Sequence, residues 1–256
     1  MLLHSKIIGQ GEPFLILHGF LGMGDNWKTI GSRFSKNGYE VHLIDQRNHG
    51  RSFHDKQFSY KVLVEDLKYY CNYYNLQNII LLGHSMGGKT AMLFATIWSE
   101  MLTKLIIIDI APRFYPIHHD EILNGLLSLN FQNLKTRKEA DNQLSKYVQD
   151  FETRLFLLKN LYWQQKGILG LRINLDVLKE HVSEVGEKLS RSHYFLGDTL
   201  FLQGDASEYI TASDKSSIKS HFPNSTIKTV SNAGHWLHVE NPNDFYNYVM
   251  SFIIHE

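Results

Sequence analysis

The sequence has little of what directs a chain to nucleic acid, to a membrane or to an oxidising compartment. Its 256 residues include one cysteine, Cys71, which excludes an intramolecular disulfide, and no Cys/His array with zinc-finger spacing. Lysine plus arginine number 26, as do aspartate plus glutamate, so no excess of charge attracts nucleic acid or anionic lipid. The first residues lack the pattern of a signal peptide, and no run of about 18 apolar residues occurs. These absences predict a soluble, cytoplasmic protein with a small-molecule partner, no nucleic acid and no membrane.

The overall composition is typical of a folded globular protein. Hydrophobic residues make up 43% of the chain and charged residues 20%, which excludes intrinsic disorder and a fibrous repeat. At roughly 100 to 200 residues per domain, a chain of this length allows one large domain or two small ones. The order of its predicted elements favours a single domain over residues 1–256 that contains an insertion.

Strand and helix patterns alternate in the first part of the chain. Short apolar runs bounded by turn residues are typical of buried strands, and apolar residues at helical spacing occur between them. Strands that alternate with helices predict a parallel sheet with helices on its faces. The predicted strands in this part are residues 14–17, 39–44, 79–82 and 105–108.

The pattern changes at about residue 114. Residues 114–190 show polar and amphipathic helix patterns without a strand candidate, and this predicts a helical insertion. Strand patterns resume at residues 199–203 and 226–230, and Asn241 and Pro242 can begin a closing helix. The fold class predicted is therefore α/β, with a mostly parallel central sheet flanked by helices and a helical cap over about 114–190.

A possible nucleophile follows the third predicted strand. Residues 79–82 lead into Gly83-His84-Ser85-Met86-Gly87 and then into a helix, which is the strand, sharp turn and helix that the G-x-S-x-G motif requires. Glycines on both sides of the serine leave room for a strained turn that exposes its hydroxyl. Ser85 is the predicted nucleophile, and the alternative is a serine that only caps the helix.

The same residues also match a nucleotide-binding motif. Residues 83–90 read G-x-x-x-x-G-K-T, and the strand that ends at Asp109 resembles the magnesium-binding partner of such a loop. A nucleotidase would place Lys89 and Thr90 on the nucleotide and would leave Ser85 without a role. The other motifs of the chain favour a hydrolase over this alternative.

Two further segments supply the groups that a serine hydrolase needs. His18-Gly19-Phe20 follows a predicted strand, so the N–H groups of Phe20 and Met86 could form an oxyanion hole. Near the end of the chain, His235 follows a glycine in a loop before the final helix and is the predicted general base. A metal site with His238 lacks carboxylates at suitable spacing, so we expect packing or hydrogen bonding from that residue and no metal.

Together these motifs resemble the α/β-hydrolase superfamily, and the resemblance extends from the first predicted strand to the final helix. Residues 45–52, DQRNHGRS, are similar to the D-x-R-N-H-G-x-S segment of the YbfF-type bacterial carboxylesterases, an abhydrolase group in which this segment shapes a loop beside the active site. Residues 156–160 and 172–174 also resemble the cap of that group. The resemblance implies hydrolysis of a small-molecule carboxylic ester through an acyl-enzyme, without a metal or an organic cofactor.

The same fold carries other activities, and these stay open. A thioesterase, an acyltransferase or a carbon–carbon bond hydrolase could use the same residues, because a fold does not determine a substrate. From a different class, a receptor that turns over its metabolite slowly could retain them.

The acid of the catalytic triad has two candidates. In the YbfF-type group the acid lies in a D-I-x-P segment, which Asp109-Ile110-Ala111-Pro112 matches, so the resemblance implies Asp109. Most of the superfamily places the acid in a G-x-x-D turn after the cap, but here Gly204-Asp205-Ala206-Ser207 has serine at that position. Asp205 is the alternative.

The substrate pocket is expected beneath the cap. The insertion begins just after Asp109, so it should overhang the strand ends where Ser85 lies. Apolar and aromatic side chains around this point are candidate substrate contacts. The residues predicted to bind substrate are Leu21, Trp163 and Trp236.

Overall fold

The structure is a computed structural model that describes residues 1–254. Its strands are short and, in the centre of the sheet, almost wholly apolar and buried, as expected for a sheet covered on both faces. The strands are β1 (Ser5–Ile8), β2 (Glu12–Leu17), β3 (Tyr39–Ile44), β4 (Ile79–His84), β5 (Leu102–Ile108), β6 (Leu161–Gln165), β7 (Ile168–Leu171), β8 (Thr199–Gly204) and β9 (Ser225–Val230).

Seven of these strands form the central sheet, in the order β1-β3-β2-β4-β5-β8-β9. Strand β1 is antiparallel to β3, and the other pairs are parallel. Strand β4 therefore lies in the middle of the sheet, between β2 and β5. The predicted fold class, an α/β fold with a mostly parallel sheet flanked by helices, is confirmed.

Helices cover both faces of the sheet. Along β2, Leu15 and Leu17 belong to one core and Phe14 and Ile16 to the other, because successive side chains of a strand point to opposite faces. The helices are α1 (Lys28–Ser35), α2 (Tyr60–Tyr73), α3 (Met86–Ile97), α4 (Asp120–Leu127), α5 (Arg137–Leu144), α6 (Phe151–Leu158), α7 (Leu175–Glu180), α8 (Val182–Val185), α9 (Lys215–His221), α10 (Leu237–Glu240) and α11 (Pro242–Ile254).

The first core contains residues of α2, α3 and α9, and the second contains residues of α1 and α11. None of the helices within residues 1–254 is long and apolar enough to cross a membrane.

The segment between β5 and β8 contains α4 to α8, as the sequence predicted, together with a hairpin that it did not predict. Strands β6 and β7 pair antiparallel through a two-residue turn, Lys166 and Gly167, in which Gly167 has φ of +81°. Residues 163–165 of β6 are exposed and two of them are glutamines, so the strand lacks the continuous apolar pattern of a buried strand. The X-Gly pair was the signal that could have revealed the hairpin.

The cap, residues 114–190, packs on the ends of the sheet strands through a third core. This core combines Phe20, Leu21 and Met86 with cap residues such as Leu157 and Leu161. The cap therefore covers the end of the sheet at which β4 stops and Ser85 follows.

Lys89 joins the two ends of the cap. Its Nζ atom donates hydrogen bonds to the carbonyl oxygens of Arg113, at 2.5 Å, and Glu187, at 2.7 Å. The side chain is buried, and burial lowers the pKa of Lys89 to about 7. Thr90 Oγ1 lies within 3.1 Å of Gln46 Oε1 and is buried as well. Both side chains are buried and hydrogen-bonded to protein groups, which contradicts the nucleotide-binding interpretation of residues 83–90.

Candidate active site

Ser85 lies in a strained turn at the carboxyl end of β4. Its backbone has φ of +52° and ψ of −117°, a conformation that residues with side chains rarely adopt. A Cβ atom at Gly87 would lie 2.4 Å from the carbonyl oxygen of Leu17, so the close approach of this turn to β2 requires glycine there. Helix α3 begins at the next residue, Met86, and its N-terminus therefore lies beside the Ser85 side chain.

His235 lies beside the buried carboxylate of Asp109. The distance from His235 Nδ1 to Asp109 Oδ2 is 2.8 Å, and Asp109 is fully buried just beyond the end of β5. The same carboxylate accepts hydrogen bonds from Ser207 Oγ, at 2.5 Å, and from the Gly204 N–H, at 3.3 Å. Ser207 was noted in the sequence only as a departure from the usual acid. In the structure it is a hydrogen-bond donor to Asp109.

Asp205, the alternative acid, contacts backbone and not the imidazole. Its carboxylate accepts hydrogen bonds from the N–H groups of Asn232, at 2.9 Å, and Ala233, at 3.0 Å. These bonds, the one from Ala233 first, lower the pKa of Asp205. Asp205 therefore holds the loop that leads to His235.

Three residues that sequence reasoning missed also hold the His235 loop. Glu240 accepts hydrogen bonds from the N–H groups on either side of His235, at 2.5 Å from Gly234 and 3.1 Å from Trp236. His84 Nε2 donates to the His235 carbonyl oxygen at 2.9 Å, and burial lowers the pKa of His84 well below its usual value. The Tyr209 ring stacks on the imidazole with 4.0 Å between centroids. The His84 and Tyr209 contacts join segments that are far apart in the chain, so no local motif reveals them, whereas Glu240 lies within six residues of its partners.

The predicted oxyanion segment forms a turn that lies against Ser85. The Gly22 N–H donates to the Gly19 carbonyl oxygen at 3.0 Å. A Cβ atom at Gly19 would lie 3.3 Å from Ser85 Cβ, so the absence of a side chain at Gly19 lets its backbone lie close to the serine. Within residues 1–254, no protein group accepts a hydrogen bond from the N–H of Phe20 or Met86.

Ser85 and His235 line one cavity of 230 Å³, which we call the inner cavity. No hydrogen bond joins their side chains among the described residues, and a serine–histidine contact of this kind often tightens only when substrate binds. The predicted substrate residues Leu21 and Trp236 line this cavity, as does Phe20.

A second space, the side cavity, adjoins the first and has a volume of 420 Å³. The two share Gly19, His84, Phe156 and Trp236 in their walls, and the rings of Phe156 and Trp236 lie 5.4 Å apart. The side cavity also carries charged groups on its rim, namely Asp150, Glu152, Lys159 and Glu240.

Trp163 does not reach either cavity, which corrects its prediction as a substrate contact. It lies on the cap hairpin in β6, its side chain is 54% exposed, and neither cavity includes it in its wall. The prediction failed because the sequence suggested a helix there, whose apolar side would face the sheet. Phe156, from α6, takes the place beside the cavity.

The remaining polar residues of the motifs make structural contacts around the site. Asp45 accepts hydrogen bonds from the N–H groups of Gly24 and Arg51, and Arg47 pairs with Asp66 at 2.5 Å. His238 stacks on Trp27 with 3.7 Å between centroids. In the part of the chain that the structure describes, no three His, Cys, Asp or Glu side chains cluster as metal ligands would.

We expect the protein to lose stability steeply in mild acid. Burial lowers the pKa of His18 to about 4 and those of His49 and His238 to about 3. The unfolded chain takes up these three protons near pH ~6.5, before the folded chain does, so stability is present above that pH and falls towards pH ~4. These three protons alone contribute a slope of about 4 kcal/mol per pH unit to the unfolding free energy near pH ~5, and the lowered pKa of His84 acts in the same direction.

Urea unfolding between pH ~4 and ~8 measures this slope. The His238→Phe variant keeps an aromatic ring against Trp27 but removes one titratable imidazole. The slope of its unfolding free energy against pH should therefore be smaller by about 1.4 kcal/mol per pH unit. Equal slopes for the two proteins would show that His238 is not the neutral, acid-labile group described here.

Comparisons with known proteins identify the family to which the fold belongs. A model of the alpha/beta hydrolase fold matches residues 12–242. The sn-1-specific diacylglycerol lipase ABHD11 of Danio rerio is 32% identical over 252 residues, covering 96% of this chain and 79% of that protein. Esterase YbfF of Escherichia coli K12 is 28% identical over 239 residues, covering 91% and 89%. A solved structure, a marine microorganism esterase, superposes with a TM-score of 0.94 at 38% identity, covering 98% and 99%. The similarity to YbfF confirms the resemblance drawn from the sequence motifs.

Proposed function

The chain belongs to the alpha/beta hydrolase family, and we propose that it is a serine carboxylesterase that hydrolyses small to medium acyl esters. Relatives that are esterases and lipases support an enzyme that hydrolyses ester substrates. The observation that carries the finer proposal is the 2.8 Å contact between His235 Nδ1 and Asp109 Oδ2, beside a cavity that Ser85 also lines.

The proposed mechanism begins with His235 as general base. Because Asp109 accepts the Nδ1 hydrogen, the Nε2 atom is left free to take the Ser85 proton. The Ser85 oxygen then attacks the ester carbonyl, and the N–H groups of Phe20 and Met86 stabilise the resulting oxyanion. Collapse of this intermediate breaks the bond to the alcohol, which takes its proton from His235. The imidazole finally activates a water molecule that releases the acid from Ser85.

In this proposal the two cavities bind different parts of the substrate. The inner cavity is bounded by Leu21, Ile122, Leu157 and other apolar or aromatic side chains, so we assign the acyl chain to it. The side cavity has charged groups on its rim and suits the alcohol portion. The ABHD11 relative is named as a diacylglycerol lipase, which makes a glyceride a natural ester to test.

A panel of nitrophenyl esters of increasing acyl length tests the proposed activity, together with a diacylglycerol, matching thioesters and an alcohol acceptor. We expect hydrolysis of the oxygen esters with a preferred acyl length. Much faster turnover of the thioesters would instead make the protein a thioesterase. Ester formation with the added alcohol as the main reaction would make it an acyltransferase.

We expect Phe156→Ala to move the acyl preference towards longer chains. The Phe156 ring forms part of the wall between the inner and side cavities, so its removal joins the two spaces. One methylene group in a pocket changes kcat/KM by about tenfold or more, so the ratio of long-chain to short-chain kcat/KM should rise by at least about tenfold.

The matched control is Trp163→Ala, which removes an exposed aromatic side chain from the same cap without touching a cavity. Its acyl profile on the same ester panel should equal that of the wild type. An unchanged acyl profile in Phe156→Ala would show that the acyl chain does not bind in the inner cavity.

A further inference from the structure

The oxyanion turn, residues 19–22, contains a backbone conformation that needs support. Leu21 has φ of +59°, and the Gly22 N–H donates to the Gly19 carbonyl oxygen across the turn. A positive φ at the third residue is what a type II turn requires, and glycine usually supplies it. In a residue with a side chain this conformation costs about 1 to 2 kcal/mol. Contacts from outside the turn must therefore hold Leu21.

Two buried side chains hold the peptide groups on either side of Leu21. His49 Nε2 accepts the Leu21 N–H at 3.2 Å, while His49 Nδ1 lies 2.9 Å from the Arg47 carbonyl oxygen and donates to it. Asn160 Nδ2 donates to the Leu21 carbonyl oxygen at 2.8 Å. Asn160 belongs to the cap and is fully buried. The cap thus bonds directly to the turn that carries the Phe20 N–H.

The amide of Asn160 is oriented for donation. Its Nδ2 atom also donates to the Leu157 carbonyl oxygen, at 3.1 Å, so both of its hydrogens are used. Its Oδ1 atom is buried and accepts no hydrogen bond within residues 1–254. A flipped amide would place that oxygen against two carbonyl oxygens. A buried acceptor without a partner costs about 1 to 3 kcal/mol, so this residue is poorly suited to a purely stabilising role.

We propose that Asn160 is a positioning residue that aligns the oxyanion hole from the cap. By holding the Leu21 carbonyl oxygen, it fixes the peptide group whose N–H closes the turn onto Gly19, and so fixes the direction of the Phe20 N–H. The oxyanion hole is then complete only when the cap is in place, because Asn160 belongs to the cap. This inference rests on the proposed esterase function, in which the Phe20 N–H stabilises the tetrahedral intermediate.

The test compares Asn160→Ala with Tyr60→Phe. The Tyr60 hydroxyl donates to the Val185 carbonyl oxygen at 2.7 Å, so its removal also deletes one bond between the core and the end of the cap, away from the turn. We expect Asn160→Ala to lower kcat by about 10- to 100-fold, because a misplaced oxyanion donor loses part of its effect, with KM within about threefold. Tyr60→Phe should keep kcat within about twofold of the wild type.

A transition-state probe separates positioning from stability. A trifluoromethyl ketone adds the Ser85 oxygen to its carbonyl carbon while the serine proton moves to His235, which leaves an oxyanion in the hole. Its affinity should weaken in Asn160→Ala by the same factor as kcat, and stay at the wild-type value in Tyr60→Phe. If Asn160→Ala does not fold, Asn160→Ser, with a shorter polar side chain, is measured in its place and is expected to show the same losses.

A variant at Asn160 with wild-type kcat and inhibitor affinity, whatever its melting temperature, would overturn the inference. That outcome leaves the proposed function intact. A wild-type protein that hydrolyses no ester and forms no ketone adduct would overturn the proposed function itself, so the two failures are distinguishable.

Discussion

Replacing Ser85 with alanine is expected to lower kcat for ester hydrolysis by about 10⁶-fold and to abolish labelling by a fluorophosphonate probe. The Ser85 hydroxyl lies at the strained turn between β4 and α3, against the Gly19 backbone and in the wall of the cavity that His235 also lines. In the proposed mechanism its oxygen forms the acyl-enzyme bond, and alanine offers no atom that can do so. Labelling followed by mass spectrometry of the modified peptide identifies the serine.

The control is Ser216→Ala, which removes the hydroxyl of an exposed serine on helix α9. It should keep the labelling and turnover of the wild type. Persistence of both labelling and turnover in Ser85→Ala would assign the nucleophile to another residue. Circular dichroism of each variant excludes loss of the fold as the cause.

Replacing Asp109 with asparagine is expected to lower kcat by about 10⁴-fold. The Asp109 carboxylate accepts the Nδ1 hydrogen of His235, and this leaves Nε2 unprotonated and able to act as a base. An amide in that place can donate a hydrogen to Nδ1 and so favour the wrong tautomer. It also fails to stabilise the imidazolium that forms during the reaction. The variant should keep its fold. The fluorophosphonate probe should label its Ser85 much more slowly than it labels Ser85 of the wild type.

Asp205→Asn is the matched comparison, since it makes the same chemical change at the other candidate acid. The Asp205 carboxylate accepts only backbone N–H groups before His235, and an amide oxygen can retain one of these bonds. We expect a loss in kcat of less than about tenfold. The reverse ranking of the two variants would move the acid to the loop after the cap.

Local patterns in the sequence were sufficient to predict the six parallel strands of the central sheet, β2 to β5, β8 and β9. Apolar runs predicted the central strands, glycines around Ser85 predicted a sharp turn between strand and helix, and a glycine before His235 indicated a loop. These signals lie within a few residues of one another, because strand burial and turn conformation depend mainly on neighbours along the chain. The hairpin of β6 and β7 was missed, since each strand is only four or five residues long and the second half of β6 is exposed.

The partners of each site residue depended on the tertiary structure. Asp109 and Ser207 lie 98 residues apart in the chain and meet because β5 is the neighbour of β8 in the sheet. Asn160 and Leu21 lie 139 residues apart and meet because the cap packs over the strand ends. Strand order and the seating of the cap are set by packing across the whole chain. The sequence therefore nominated Ser85 and His235, and through the family resemblance Asp109. Only the folded chain placed Asp109 against the imidazole, Asp205 against the backbone and Trp163 outside the cavities.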